Sequence, residues 1–198
     1  MLEVNRKLVV SGDADCGKTC LLLVHYNHSF PEGIVPSTFG NYLAEVEVDD
    51  VHVYMATIDM ERHNPYDRLH LLAYLDSHAV VICFAIDDPK SLASVEETWI
   101  GEANHFAPGM PVILLGCKKD TRPAGNESID ERHDPARQFV TYEEGLAVAN
   151  KVNANHYMEC SAKTGEGVQE VFHYAARAAL SVTPKKRRKS LIKRCIVL

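Results

Sequence analysis

Short apolar runs alternate with helical patterns along most of the chain. The runs of strand length cover residues 7–10, 46–58 in two pieces, 79–86, 112–116 and 156–159. The helical patterns cover residues 17–26, 67–75, 90–104, 142–151 and 167–180. Strands that alternate with helices predict an α/β fold built on a mostly parallel sheet.

Two of the runs, 80–84 and 112–115, are almost continuously apolar, which is typical of strands covered on both faces. Asp49 and Asp50 lie between two alternating runs and predict a hairpin turn, which gives the sheet one antiparallel pair at its edge. Ligands of open α/β sheets bind beyond the carboxyl ends of the strands. The loops at those ends are therefore the candidate sites of chemistry.

The loop after the first predicted strand carries a phosphate-binding pattern. Residues 12–19 read Gly-Asp-Ala-Asp-Cys-Gly-Lys-Thr and fit G-x-x-x-x-G-K-[ST], in the required place between a strand and a helix. The N–H groups of such a loop present partial positive charge to phosphate oxygens. Lys18 is expected to reach the terminal phosphates, and the Thr19 hydroxyl is expected to bind Mg2+. The predicted nucleotide contacts here are Ala14, Asp15, Cys16, Gly17, Lys18, Thr19 and Cys20.

Polar residues also follow several later strands. Asp59 ends the run at 51–58, where it either forms a turn or holds Mg2+ through water, as an aspartate does in phosphate-loop nucleotidases. Residues 116–120 and 159–163 also follow strands, and on their own they fit solvated polar loops. One known family binds a nucleotide base with loops at these two places. Residues 30–39, with two prolines and one glycine, predict an irregular connection.

The composition is that of an ordinary globular domain, with 46% hydrophobic and 24% charged residues in a chain of 198. Residues 185–194 hold seven basic residues and no acidic one, while the remaining 14 basic residues face 27 acidic ones, a net charge of −13. Such an acidic body argues against nucleic-acid binding. The six cysteines form no CxxC pair and the ten histidines show no metal-binding spacing.

The carboxyl-terminal segment predicts a lipid anchor. Residues 195–198, Cys-Ile-Val-Leu, fit C-a-a-X, with a leucine that favours geranylgeranylation of Cys195. The basic run supplies the second signal that one lipid chain needs for stable attachment to an anionic membrane. Pro184 marks the boundary between the domain and this tail. A nuclear-localisation signal at 185–189 is the alternative.

The phosphate loop and the C-a-a-X end belong to a larger set of motifs. The others are Val-Pro-Ser-Thr-Phe at 35–39 with Asn41-Tyr42, Tyr-Asp-Arg-Leu at 66–69, Lys-Lys-Asp at 118–120, Tyr-Met-Glu-Cys-Ser-Ala-Lys at 157–163, Val-Phe at 171–172 and Ala-Arg-Ala-Ala-Leu at 176–180. With this combination, the chain resembles a Ras-superfamily small GTPase of the Rho family over essentially its whole length.

The resemblance implies a fold and a domain organisation. The fold is the small-GTPase G domain, an α/β fold with a six-stranded, mostly parallel sheet, one antiparallel edge strand and helices on both faces. The G domain would cover residues 1–183, with the insert helix of the Rho family near 126–139. Residues 184–198 would form the polybasic, prenylated tail.

The resemblance also implies GTP or GDP and Mg2+ as ligands. Thr19 and Ser37 would bind the metal, and Asp59 would hold it through water. Asp120 would accept two hydrogen bonds from guanine, with the Lys118 stem and Phe30 packed on the base. The set that binds the base is completed by Cys117, Ser161, Ala162, whose N–H would reach the guanine carbonyl, and Lys163.

The departures from the family pattern cluster on hydrolysis. Residues 59–63 read Asp-Met-Glu-Arg-His where the family has Asp-Thr-Ala-Gly-Gln, so His63 replaces the glutamine that orients the attacking water. Arg62 replaces a glycine that approaches the γ-phosphate, and Pro65 stiffens the same loop. Ala14 replaces a glycine that leaves room for the transition state. Because catalysis depends on interactions made in the transition state, these changes predict binding without fast hydrolysis.

The predicted function is a Rho-family switch at membranes, bound to GTP, with slow or absent hydrolysis and a role in cytoskeleton or polarity signalling. Two alternatives remain. One is an active GTPase that uses His63 or a trans-acting activator. The other is a nucleotide-free pseudo-GTPase scaffold, which is favoured if Cys117 and Asp15 together prevent binding.

The resemblance implies partners and a location as well. Effectors would bind the switch segments 30–42 and 59–72, and exchange factors and a guanine-nucleotide dissociation inhibitor would act on the same domain. The tail would place a monomer on the cytoplasmic face of membranes, with a cytosolic pool.

Overall fold

Residues 2–33, 40–59, 69–123 and 138–182 are described by a computed structural model of the chain. Their strands form one six-stranded sheet: β1 (Leu2–Gly12), β2 (Gly40–Val48), β3 (Val51–Asp59), β4 (Ala79–Ala85), β5 (Val112–Cys117) and β6 (His156–Glu159). The order across the sheet is β2-β3-β1-β4-β5-β6, and each neighbouring pair is parallel except β2 and β3. The predicted sheet with one antiparallel edge strand is confirmed.

The described residues contain five α-helices: α1 (Lys18–Asn27), α2 (Pro89–Ser94), α3 (Ile100–Phe106), α4 (Tyr142–Lys151) and α5 (Val168–Ser181). α2 continues into α3 through one wider π-helical turn, Val95–Trp99. The single helix predicted at 90–104 is therefore present but widened in its middle. Shorter 3₁₀ turns cover Leu69–Tyr74 and Lys119–Thr121.

Two apolar cores lie on opposite faces of the sheet. On one face, Leu21 of α1 and Phe172 of α5 are buried against Val10 of β1. On the other face, Phe84 of β4 is buried together with Ala149 of α4 and with Trp99 of the π-helical turn. Since β4 and β5 are buried at every position, their continuous apolar runs follow from cover on both faces.

The turn between β2 and β3 has the predicted two residues. Asp49 and Asp50 have φ angles of 49° and 62°, and a type I′ turn requires positive φ at both central residues. Aspartate tolerates this left-handed region better than most side chains. The register pairs Val48 with Val51 directly across the turn.

β1 is longer than the four residues predicted. Its first half pairs only with β3, because pairing with β4 begins at Leu8. Glu3 and Asn5 are exposed there, so the apolar pattern that identified residues 7–10 is missing. The helical pattern at 67–75 corresponds in part to the 3₁₀ turn, where the Leu75 N–H donates to the Leu72 carbonyl three residues earlier.

Two helices begin at side-chain caps. The Thr141 hydroxyl accepts from the Glu144 N–H while the Glu144 carboxylate accepts from the Thr141 N–H, which is a capping box that starts α4. Asp88 accepts from the Lys90 N–H ahead of Pro89, the first residue of α2.

Residues 126–137 of the predicted insert helix and the whole tail, 184–198, lie outside the described residues. Among the helices that are described, none has the length and apolar character needed to cross a bilayer.

Candidate functional site

The predicted phosphate loop joins β1 to α1 and lies directly against β4. Gly12 has a φ of +142°, and a Cβ there would come within 2.2 Å of the Cys83 carbonyl oxygen. Gly17 precedes α1 with a φ of +104°, and its Cβ would lie 3.3 Å from the Cys117 Cβ. Asp15 is also left-handed, at 57°, whereas Ala14 has no such constraint and is exposed. The backbone conformation and the close neighbours therefore require glycine at both Gly12 and Gly17.

Lys18 is held inside this loop. Its side chain is only 4% exposed, and Nζ donates to the Asp13 carbonyl at 2.6 Å. The Asp13 carboxylate in turn accepts from the Trp99 indole N–H at 2.7 Å. Because an ammonium group has three donors, Lys18 can keep the loop bond and still donate to phosphate oxygens.

Thr19 and Asp59 are brought together at the start of α1 and the end of β3. The Thr19 hydroxyl donates to Asp59 Oδ2 at 2.6 Å, and Asp59 is fully buried. A hydroxyl and a carboxylate are hard oxygen donors, so this pair fits Mg2+, which would neutralise charge on nucleotide phosphates. No trio of His, Cys, Asp or Glu is arranged for a metal ion in the part of the chain that the structure describes.

The predicted base-binding residues converge on a cavity of about 200 Å³ beside the loop. It lies between α1 and the loops that follow β5 and β6. Its lining consists of Gly17, Cys20, Leu21, Phe30, Cys117, Lys118, Asp120, Cys160, Ala162 and Lys163. A larger groove of about 680 Å³ between α2 and α4 contains none of the predicted site residues.

Asp120 is the acceptor at this cavity, and its carboxylate is fixed from the β6 side. The Ser161 hydroxyl donates to Asp120 Oδ1 at 2.6 Å and accepts from the Thr164 N–H at 3.1 Å. Lys163 Nζ lies 3.9 Å from Asp120 Oδ2. Ser161 is therefore a positioning residue behind the cavity, while Asp120 and Lys163 line it.

Lys118 is oriented by an acid that the sequence prediction missed. Its Nζ lies 3.2 Å from Asp87 Oδ1, and its backbone has a left-handed φ of 61°. Asp87 comes two residues after β4, so its position beyond a buried strand was the available signal. Trp99 gave no comparable signal, since a tryptophan in a helical pattern is expected in a core.

A half-buried ion pair joins the loop after β5 to the end of β6. Arg122 donates to both Glu159 oxygens, at 2.7 Å and 2.8 Å, and the Tyr157 hydroxyl donates to Glu159 at 2.6 Å. Arg122 also donates to the Val140 carbonyl, at 2.7 Å from Nη2. Burial raises the pKa of Glu159, but the hydrogen bonds from Arg122 and Tyr157 and the Arg122 charge bring it below its ordinary value of 4.5.

This lowered pKa predicts a pH dependence of folding. Because the folded pKa lies below the unfolded one, the stabilisation is present above about pH 4.5 and is lost as the pH falls through the folded pKa. We expect Glu159→Gln to cost roughly 1–2 kcal/mol near neutral pH and less in acid. Urea unfolding between pH 7 and pH 3 measures the difference. Glu166→Gln, at an exposed carboxylate paired with Lys119, is the matched control. If both variants lose the same unfolding free energy at every pH, the Glu159 carboxylate does not provide the stabilisation described here.

Several predicted residues lie outside the described part of the chain. They are Ser37 for the metal; Arg62, His63 and Pro65 for hydrolysis; and Cys195 for lipidation. Of the predicted switch segments, the structure describes residues 30–33, 40–42, 59 and 69–72. Leu72 at the end of the second segment is 57% exposed, and Phe30 at the start of the first is 45% exposed.

The chain is similar over nearly its whole length to proteins named as GTP-binding proteins. The family model described as the Ras family matches residues 7–181. GTP-binding protein rho1 of Schizosaccharomyces pombe is 49% identical over 201 residues, which cover 99% of this chain and 98% of that protein. GTP-binding protein rho5 of the same organism is 47% identical with the same coverage. GTP-binding protein RHO1 of Candida albicans is 48% identical over 196 residues, 99% of this chain and 97% of that protein.

Proposed function

Since the chain belongs to the Ras family of small GTPases, in its Rho branch, we propose that it is a GTP-bound switch with slow or absent intrinsic hydrolysis. One observation supports nucleotide binding. The phosphate loop borders a cavity that is also lined by Asp120, whose carboxylate is held in place by Ser161. Lys18 and the loop N–H groups would hold phosphates, and Asp120 would select guanine because adenine lacks the two donors that face it.

The proposed hydrolytic defect rests on three replacements. Ala14 places an exposed side chain at the loop, where the family pattern has a glycine. His63 and Arg62 stand where the family orients water and approaches the γ-phosphate. Ground-state contacts through Lys18 and Asp120 would remain, so affinity and turnover would be separated.

The nucleotide carried by freshly purified protein is the first test of this function. We expect extraction and chromatography to recover GTP. Recovery of GDP alone would support the alternative of a working GTPase. A cavity that stays empty after incubation with excess GTP and Mg2+ would overturn the proposal in favour of a scaffold.

A double substitution tests the mechanism of the defect. We expect Ala14→Gly with His63→Gln to raise the single-turnover rate of GTP hydrolysis at least about tenfold, because both groups that shape the transition state are restored. The measurement is release of inorganic phosphate from protein preloaded with GTP. His105→Gln, which changes a histidine in the last turn of α3 that is not one of the predicted site residues, should leave the rate unchanged. No gain in the double variant would assign the defect to Arg62.

We propose the remaining parts of the function from the same family membership. Effectors would bind the switch segments 30–42 and 59–72, and exchange factors and a dissociation inhibitor would regulate the nucleotide. Cys195 would carry a geranylgeranyl chain, and the basic run at 185–194 would favour anionic membranes on their cytoplasmic face. Loss of vesicle binding in Cys195→Ser protein made in eukaryotic cells would support the anchor.

A further inference from the structure

Four buried cysteines form a thiol cluster under the phosphate loop and the base cavity: Cys16, Cys83, Cys117 and Cys160. We propose that Cys117 and Cys160 form a reversible disulfide that weakens nucleotide binding when the cell is exposed to peroxide. The disulfide itself stands on the geometry of the two strands. Its effect on the nucleotide rests on the proposed function.

The two thiols lie next to each other where two neighbouring parallel strands end, since Cys117 is the last residue of β5 and Cys160 directly follows β6. The β5–β6 register pairs Gly116 with Glu159, and the next residues on the two strands are Cys117 and Cys160. One hydrogen bond joins the two residues to the end of the ladder, because the Cys160 N–H donates to the Gly116 carbonyl at 2.8 Å. The Cys160 carbonyl accepts from the Lys119 N–H at 3.0 Å, one residue beyond the regular partner, because Lys118 lies in the left-handed region and the ladder ends there. Both side chains lie in the same core, and the Cys160 thiol is close enough to influence the pKa of Cys117.

The strand spacing selects Cys160 over Cys83 as the partner. Neighbouring strands lie about 4.8 Å apart, which falls within the roughly 4.4–6.8 Å between Cα atoms that a disulfide spans. Cys83 pairs with Leu115, two residues before Cys117. The offset of two residues is about 6.6 Å along the strand, so the Cα atoms of Cys83 and Cys117 are roughly 8 Å apart. That distance exceeds the Cα separation that a disulfide spans.

Cys117 has the character of the attacking thiol. Hydrogen bonds from the Cys160 and Cys83 thiols lower the pKa of Cys117 despite its burial, and the positive charges of Lys18 and Lys118 act in the same direction. The hydrogen bond with Cys117 and then burial raise the pKa of Cys160, so that thiol keeps its proton. Both cysteines line the base cavity, which gives a small oxidant a route to them when no nucleotide fills it.

The reaction balances with hydrogen peroxide as the oxidant. The Cys117 thiolate attacks one peroxide oxygen and the O–O bond breaks. Cys117 becomes a sulfenic acid, and the departing hydroxide takes up the proton that the Cys117 thiol released, which forms the first water. The Cys160 sulfur then attacks the Cys117 sulfur, the S–O bond breaks, and water leaves as the disulfide forms. In total, two thiols are oxidised and one peroxide is reduced to two waters.

The expected consequence comes from what Cys117 supports. Gly17 of the phosphate loop packs so closely on Cys117 that a Cβ would lie 3.3 Å from the Cys117 Cβ. Drawing the Cys117 sulfur onto Cys160 removes it from beneath the loop and changes one wall of the cavity. The loop N–H groups and the base site then no longer fit the ligand together, so the nucleotide is released faster.

The test begins with full-length, reduced protein, either stripped of nucleotide or loaded with GDP. Each sample is treated with hydrogen peroxide, its remaining thiols are alkylated in denaturant, and peptides are mapped by mass spectrometry without reductant. We expect a peptide joining Cys117 to Cys160 in the stripped protein, its loss with dithiothreitol, and slower formation when GDP is bound. Cys117→Ser and Cys160→Ser should lack it, and Cys83→Ala, at the other thiol that influences the pKa of Cys117, should retain it.

Release of a fluorescent GDP analogue measures the effect on the site. We expect oxidation to speed release about tenfold, the loss that corresponds to one typical buried hydrogen bond. Dithiothreitol should restore the slow rate, and Cys160→Ser should not respond to peroxide. A Cys117–Cys83 peptide, over-oxidised Cys117 without a cross-link, or an unchanged release rate would overturn the proposal. If the reduced protein binds no GDP, the proposed function fails, and the cross-linked peptide alone decides whether the disulfide forms.

Discussion

Asp120→Asn is expected to weaken GDP binding by roughly 10²-fold to 10³-fold and to reverse the preference between guanine and xanthine nucleotides. The Asp120 carboxylate presents only acceptors to the cavity, and guanine offers two donors on its facing edge. An asparagine amide would place one donor against a guanine donor. Xanthine carries a carbonyl at that position, so the amide would pair with it.

Competition between GDP and xanthosine diphosphate for the stripped protein measures this change. The Ser161 hydroxyl, which donates to Asp120 Oδ1, can donate equally to the asparagine Oδ1, so the local support survives and the NH2 group faces the cavity. Glu166→Gln neutralises a carboxylate nearby that does not line the cavity and should keep the preference for GDP. Equal loss of both nucleotides in Asp120→Asn would mean that Asp120 supports the fold rather than reading the base.

Gly12→Ala is expected to destabilise the domain by roughly 3 kcal/mol or more. The new Cβ would come within 2.2 Å of the Cys83 carbonyl oxygen, and the φ of +142° is one that L side chains rarely adopt. The carbonyl cannot withdraw easily, because Cys83 pairs with Gly12 on one side and Leu115 on the other. β1 and the phosphate loop must therefore move together.

Urea unfolding of nucleotide-stripped protein isolates this cost from the stabilisation that a bound ligand adds. Gly101→Ala is the matched control, since Gly101 lies in α3 and an added Cβ there meets nothing within 4 Å. That variant should gain about 0.5–1 kcal/mol from the higher helix propensity of alanine. Similar stabilities for the two variants would show that the Gly12 contact is relieved at little cost.

The fold followed closely from the apolar pattern because strands and helices here have distinct periods. β4 and β5 are buried at every position, so their sequence runs are unbroken, and α4 was located at both ends. The pattern failed where a strand has one solvated side. The first half of β1 pairs with β3 alone and carries polar residues, which hid it.

The candidate site was predictable where a motif fixes backbone shape, and less so where side chains meet from distant parts of the chain. Gly17 and Lys18 could be assigned from spacing alone. The bond from Trp99 to Asp13 joins residues 86 positions apart, and no local pattern encodes it. The closeness of Cys117 and Cys160 follows from the register of β5 and β6, which becomes visible only in the assembled sheet.

That bond from Trp99 has a consequence for the thermodynamics of ligand capture. Trp99 is anchored in the core on the far side of the sheet, and its indole holds the Asp13 carboxylate while the Asp13 carbonyl holds the Lys18 ammonium. A loop whose cation is already positioned loses little conformational entropy when an anion arrives. Association should therefore carry a small ordering penalty, and the distant core sets part of the affinity.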